Sequence, residues 1–208
     1  AGAFRGEGKR MSDPDALLHD FQSITEPLLL RELFFQQQPT ELEIGCGDGG
    51  FLLEYAQRHP ERNFLGVERL LGRVRKLSKR GKRIGLTNLR LLRIEARYVL
   101  DYLLPEHAFS AVHIYFPDPW PKAKHARHRL IQSDFLPRIH RILTPGGVLY
   151  LRTDDSQYFG QMQDTFSDAE AFTEESTPTA LSEITTEFER QWIAEGKCTF
   201  YAAYRHKG

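Results

Sequence analysis

Glu41-Leu42-Glu43-Ile44 runs directly into Gly45-Cys46-Gly47-Asp48-Gly49-Gly50, and that turn into Phe51-Leu52-Leu53-Glu54-Tyr55-Ala56. A strand-like run, a glycine-rich turn and a helical pattern, in that order, make the opening corner of a nucleotide-binding α/β fold. Glycines let the backbone turn sharply there and approach a ligand closely. Gly45, Gly47 and Gly50 satisfy G-x-G-x-x-G, and Glu68 follows at roughly the twenty-residue interval of a dinucleotide fingerprint. The pattern alone does not separate NAD from other adenosine cofactors.

The acids around the corner favour one of them. Glu43 precedes the first glycine closely enough to face the cationic end of an amino-acid cofactor. A pyrophosphate in the same place would be repelled by Glu43 and Asp48 together. Glu68 ends a second strand-like run, Asn63-Phe64-Leu65-Gly66-Val67, where a carboxylate can accept both hydroxyls of a ribose. These features point to S-adenosylmethionine. The plainer alternative for Glu43 and Glu68 is a pair of solvated strand ends.

The rest of the chain repeats the alternation. A helix spanning about 15–35 is expected first. Strands near 41–45, 63–68, 89–95, 111–116 and 147–153 then alternate with helical patterns near 50–58, 70–83, 97–103 and 128–143, which gives a parallel sheet with helices on both faces. Pro145-Gly146-Gly147 marks a stop before the fifth strand. A helix around 158–166, strands near 172–175 and 198–205, and a short helix at 187–194 complete the pattern. At 208 residues the chain suits one ordinary domain, 40–208, with 1–39 as a helical leader packed on it. No apolar stretch reaches membrane-spanning length and no signal-peptide pattern is evident. The only cysteines, Cys46 and Cys198, are far apart, which suits a reducing cytoplasm and argues against a disulfide framework or structural zinc. His125 and His128 have no converging cluster of further ligands, so no metal is expected.

A second segment carries more specific information. The run Ala111–Phe116 meets Pro117-Asp118-Pro119-Trp120-Pro121, where prolines fix φ and remove donors, so the strand must end. The stiff turn presents a carboxylate, Asp118, beside an indole, Trp120. An aromatic face with an acceptor is the minimum equipment for holding a nucleobase; a packed surface turn is the plainer alternative. Basic and acidic residues balance at 28 each, yet they are segregated. Arg69, Arg73, Arg75, Lys76, Lys79, Arg80, Lys82 and Arg83 crowd one helix. Lys122, Lys124, His125, Arg127, His128 and Arg129 follow the turn, and acids collect from Asp164 to Glu189. Two basic runs beside a base pocket form a phosphate-tracking surface that would steer a polyanion despite zero net charge.

The glycine corner, Phe116-Pro117-Asp118-Pro119-Trp120-Pro121-Lys122 with Lys124-His125 after it, Thr153-Asp154, and Thr186-Glu187-Phe188-Glu189 together resemble the bacterial tRNA (guanine-N7)-methyltransferase family. The resemblance runs from about Thr40 to Tyr204. It implies a Rossmann-like, seven-stranded class I methyltransferase with a mostly parallel sheet, helices on both faces and an antiparallel last strand. It also implies S-adenosylmethionine as cofactor, guanine N7 in the variable loop of tRNA as target, and no metal or membrane. The enzyme would be cytoplasmic, a monomer or homodimer. Residue by residue, it assigns Glu43, Gly45, Gly47, Glu68, Glu95 and Asp118 to the cofactor and Asp118 to catalysis. Lys122, Asp154, Thr186, Glu187, Phe188 and Glu189 fall to the substrate. Two departures stand out: Glu95 replaces the family's usual aspartate, and the stretch before Thr40 lacks an arginine-rich opening. A methyltransferase of the same fold acting on another RNA or a small molecule, and a non-catalytic RNA-binding relict, are the competing readings.

Overall fold

The computed structural model describes residues 17–208. Strands β1 (Thr40–Ile44), β2 (Asn63–Glu68), β3 (Leu89–Arg93), β4 (Phe109–Tyr115), β5 (Leu143–Thr153), β6 (Phe172–Glu175) and β7 (Phe200–His206) form one sheet. Their order is β3-β2-β1-β4-β5-β7-β6. The first five strands pair in parallel, and β7 runs antiparallel to both β5 and β6. Seven strands, mostly parallel with an antiparallel end, is the class I methyltransferase architecture expected from the sequence.

The helices are α1 (Leu30–Leu33), α2 (Leu52–Arg58), α3 (Leu71–Arg83), α4 (Ala96–Tyr98), α5 (Phe135–Ile142), α6 (Ser156–Ser167), α7 (Thr179–Ser182) and α8 (Glu187–Ala194). Alternate strand residues face opposite sides. Phe64 and Leu91 pack with Phe51, Leu52, Val74 and Leu77 under α2 and α3. Leu65 and Leu92 pack with Leu100, Phe135, Ile139 and Met162 on the other face. The chain moves outward from β1 to β2 and β3, then crosses back to β4. The strand order therefore reverses beside β1, and the crevice opens at the carboxyl ends there.

Four local expectations are corrected. The long helix over 15–35 is absent from the described part, where only Leu30–Leu33 is helical; residues 1–16 lie outside the described residues. Pro27 lacks the donor a helix interior needs, and the backbone bonds to the core instead. Leu91 N–H donates to Leu17 O at 2.8 Å, His19 N–H to Leu91 O at 2.9 Å, and Leu28 N–H to Leu103 O at 2.8 Å. The first two of these bonds cover the edge of β3. The segment 97–103 is helical, but Val99–Leu103 is a π-turn. The helix near 128–143 is shorter, with a 3₁₀ stretch at Ala123–His128 preceding Phe135–Ile142. Finally, Pro145-Gly146-Gly147 is a bulge inside β5 rather than a stop before it. The register against β4 shifts from Phe109–Leu143 to Ala111–Val148, and Gly146 takes a φ of +75°.

Candidate active site

A cleft of about 760 Å³ opens at the carboxyl ends of β1, β2, β3 and β4. That volume lies in the range of small-molecule and cofactor sites. Gly45, Glu68, Glu95, Asp118 and Trp120, all singled out from the sequence, line it.

Glu68 ends β2 and is 6% exposed. Its carboxylate is held from both sides: Gly47 N–H donates to Oε2 at 3.2 Å and Leu70 N–H to Oε1 at 2.8 Å. A carboxylate fixed this way keeps spare lone pairs for hydroxyl donors in the cleft. Gly45 (φ +77°) and Gly47 (φ +56°) are left-handed, and a Cβ at either would meet nothing within 4 Å. The turn thus needs glycine for its backbone and leaves open space where a ligand can approach. The third left-handed glycine of the corner is Gly49, not the Gly50 of the sequence pattern.

Glu43 is no solvated strand end. It is 4% exposed, and its Oε2 has no hydrogen-bond partner among the described residues. Burial pushes its carboxyl up to about 8, with Arg152 opposing the rise and Glu68 adding to it. A buried carboxylate short of a partner is poised for a cation or a proton. The set would fit S-adenosylmethionine: Glu43, behind the lining, would hold a cationic group, and Glu68, in the lining, would hold hydroxyl groups. Asp48 is less available than its sequence position suggests. Despite some burial, Lys76 at 2.9 Å holds its carboxyl below the usual range. Glu95 lines the cleft but also caps α4, accepting from Tyr98 N–H at 2.9 Å through Oε2.

The Phe116–Pro121 turn forms another wall. Phe116 and Trp120 have φ values of +52° and +43°, uncommon for side chains so bulky. Arg129 holds the turn. It is 4% exposed, donates from Nε to Pro119 O at 2.6 Å, and stacks over Tyr158 at 4.9 Å. Along the chain Arg129 belongs to a phosphate-tracking run; in the fold it is a buried brace. Trp120 is half-exposed with its ring 5.1 Å from His128. Asp118 is exposed where it lines the cleft, and Lys122 is exposed just outside the lining.

The expected substrate residues do not all meet the cleft. Asp154 lies at the end of β5, partly buried and outside the lining. Thr186 and Glu189 form a capping box at α8: Glu189 N–H donates to Thr186 Oγ1 at 3.1 Å, and Thr186 N–H to Glu189 Oε2 at 2.7 Å. Glu189 is fully buried, so in this conformation it supports the segment rather than touching substrate. The side chains of Glu187 and Phe188 lie outside the described residues.

Sequence reasoning missed the polar face beneath α2. Glu41 Oε2 accepts from His113 Nε2 at 2.7 Å, and His113 Nδ1 accepts from Tyr115 Oη at 2.7 Å. Arg62 donates to Glu41 Oε1 at 2.6 Å. Although burial works against it, these bonds hold the Glu41 carboxyl below the usual range. The signal was the polar alternation Glu41/Glu43, His113/Tyr115 and Tyr150/Arg152, in strands that a parallel sheet ordinarily keeps apolar.

Comparison with known proteins gives these features a family. Residues 37–202 match a family model described as "Putative methyltransferase". The tRNA (guanine-N(7)-)-methyltransferase of Sodalis glossinidius is 37% identical over 177 residues, covering 83% of this chain and 73% of that protein. The chain belongs to the tRNA (guanine-N7)-methyltransferase family. The family's protein from Cronobacter sakazakii is 36% identical over 171 residues, 80% of this chain and 72% of its own. That from Thermotoga maritima is 36% identical over 180 residues, 86% of this chain. The chain spans 58% of the Thermotoga maritima protein's length and 59% of the Nitrosomonas eutropha one's. Among solved structures, the 16S rRNA methyltransferase KamB has a TM-score of 0.59 at 15% identity, over 85% of this chain and 91% of KamB. That likeness is one of fold.

Proposed function

We propose that this chain transfers the methyl group of S-adenosylmethionine to N7 of a guanine in the variable loop of tRNA. The observation that carries the reading is the cleft that Gly45, Glu68 and Asp118 line together, with Glu68 held by Gly47 N–H and with Glu43, buried and short of one partner, just before the glycine turn. The bound cofactor supplies an electrophilic methyl group; guanine N7 offers a lone pair and carries no proton, so no general base is required. The residues supply placement. Asp118 accepts from the N–H edge of the guanine and offsets positive charge growing on the ring. Trp120 offers a face or wall for the base. Arg127 and His128 at the cleft mouth and the exposed cations of α3 engage phosphates. Glu95 Oε1 remains for the adenine end. We place the protein in the cytoplasm; among the described residues no helix is long and apolar enough to cross a membrane.

The test is methyl transfer from labelled S-adenosylmethionine to unmodified total tRNA, followed by base mapping. The expected product is 7-methylguanine in the variable loop. Label at another base, or only in another RNA, would replace the substrate; S-adenosylhomocysteine binding without transfer to any RNA would leave the relict reading.

A further inference from the structure

A second cavity, of about 710 Å³, is lined by the end of α6, the connection after it, and the strands β6 and β7 at the far edge of the sheet. It shares no lining residue with the cleft at the carboxyl ends of β1 to β4. Its wall is aromatic. Phe166 and Tyr204 stack with ring centroids 4.0 Å apart, and Phe172 meets Phe166 edge-on at 5.4 Å. Its rim is acidic: Asp164, Asp168, Glu170 and Glu174 line it and are exposed, against one cation, Lys207. Among the described residues none of these carboxylates is ion-paired, whereas Glu175, outside the lining, pairs with Arg205 at 2.7 Å. The last turn of α6 holds no basic residue, so the partial negative charge of its carboxyl end adds to the acids instead of offsetting them. Tyr204 lies opposite Glu174 in the β6–β7 register, so the two side chains share a face of the sheet. Tyr204 is 3% exposed, and its Oη has no hydrogen-bond partner among the described residues. A hydroxyl buried in a wall without a partner is costly until a ligand group satisfies it.

We propose that this cavity is a binding site for a linear aliphatic polyamine. Its methylenes pack on the rings of Phe166, Phe172 and Tyr204, and its ammonium groups meet the rim carboxylates. One ammonium donates to Tyr204 Oη. The placing of the acids selects this chemistry over a metal ion, because among the described residues no group of three or more His, Cys, Asp or Glu side chains could hold one. Carboxylates dispersed around an aromatic wall suit positive charges spaced along an apolar chain. The site stands apart from the methyl-transfer reading, since it lies outside the cleft.

The experiment is calorimetric titration of the full chain with spermidine at about 0.15 M salt, where diffuse attraction is screened. Saturable binding of one equivalent is expected, with the same affinity when S-adenosylhomocysteine is present in excess. Asp164→Asn with Glu174→Gln should weaken it at least about fivefold, since each exposed ion pair counts for little alone. Tyr204→Phe keeps the ring stack and should weaken it about tenfold, as the loss of a hydrogen bond to a charged group implies. Without spermidine that variant should melt no lower than the parent, because the hydroxyl it removes has no partner. If it does not fold, the exposed acid pair decides. Absence of saturable binding overturns the proposal, and so does parental affinity in the acid variant. Competition with S-adenosylhomocysteine would move the polyamine to the cleft and overturn it too. Magnesium binding there more tightly than spermidine would make the rim a site for inorganic cations, and a lysine-rich peptide binding where spermidine does not would make it a protein-docking surface; either overturns the assignment.

Discussion

Glu43 is held in surroundings that oppose its charge, and this sets up two opposed effects of one substitution. Its folded-state pKa, about 8, lies above the ordinary carboxylate value. Between those values the folded protein binds the extra proton and the unfolded chain does not, so stability falls as pH rises through that window. Glu43→Gln removes the penalty. The ligand-free variant should melt higher than the parent at pH 9 and lose the advantage at pH 5, each kcal/mol being worth about 2–4 °C in a chain of this size. The same variant should bind S-adenosylhomocysteine at least about tenfold more weakly, as the loss of a charge-assisted bond implies. Matching melting curves for the two proteins at both pH values would show that Glu43 carries no such burden. Asp118 is the opposite case, at the open face of the cleft and with no buried charge to neutralise. Asp118→Asn keeps the size and loses the charge, so methyl transfer should slow by about two to three orders of magnitude. Cofactor binding should persist, because Pro117, Pro119 and Arg129 fix the turn. An Asn variant at full rate would move the site elsewhere.

At the scale of elements, α3 divides its cations between two tasks. Val74, Leu77 and Gly81 face the core. Lys76 and Arg80 reach back to the Asp48 carboxylate and carbonyl, and so brace the glycine corner. Arg75, Lys79, Lys82 and Arg83 are exposed. Changing those four to alanine should weaken tRNA binding with cofactor affinity unchanged. The slope of log affinity against log salt should become shallower by about 0.7–0.9 for each phosphate the helix no longer neutralises. Changing Lys76 and Arg80 should instead weaken the cofactor. Filter binding across a salt series, beside calorimetry, separates the sets; identical effects of both would mean the helix is one undivided basic face. The acid-free run was legible in the sequence. The division was not, because Asp48 becomes a neighbour of Lys76 only once β1 and α3 pack. The Pro145-Gly146-Gly147 bulge is similar: the turn chemistry was legible, but the pairing that continues across it depends on β4.

Across the whole molecule, residues 17–39 fasten to β3 and the outer face through backbone bonds and through Leu28, Leu33 and Phe34. Phe34 is 4% exposed, and Phe34→Ala should cost about 3–5 kcal/mol. Chemical denaturation checks this; a loss below about 1 kcal/mol would mean the segment rests on the core without supporting it. An apolar run of this length suits a helix, but a free sheet edge offers the same backbone groups better partners. The sequence alone determined the fold class, since glycine spacing and strand–helix alternation are local, periodic properties. It also determined Glu68, Gly45 and Asp118 as cleft residues, since each follows or ends a strand and a parallel sheet gathers those ends at one crevice. Only the tertiary structure decided which charges are spent internally. Arg129 and Lys76 belong to basic runs along the chain and Glu189 to an acidic one, and Arg152 carries no signal there, yet each is claimed by a partner elsewhere in the sequence. Burial and pairing depend on which strands lie side by side, and that is settled only when the sheet closes around its switch point.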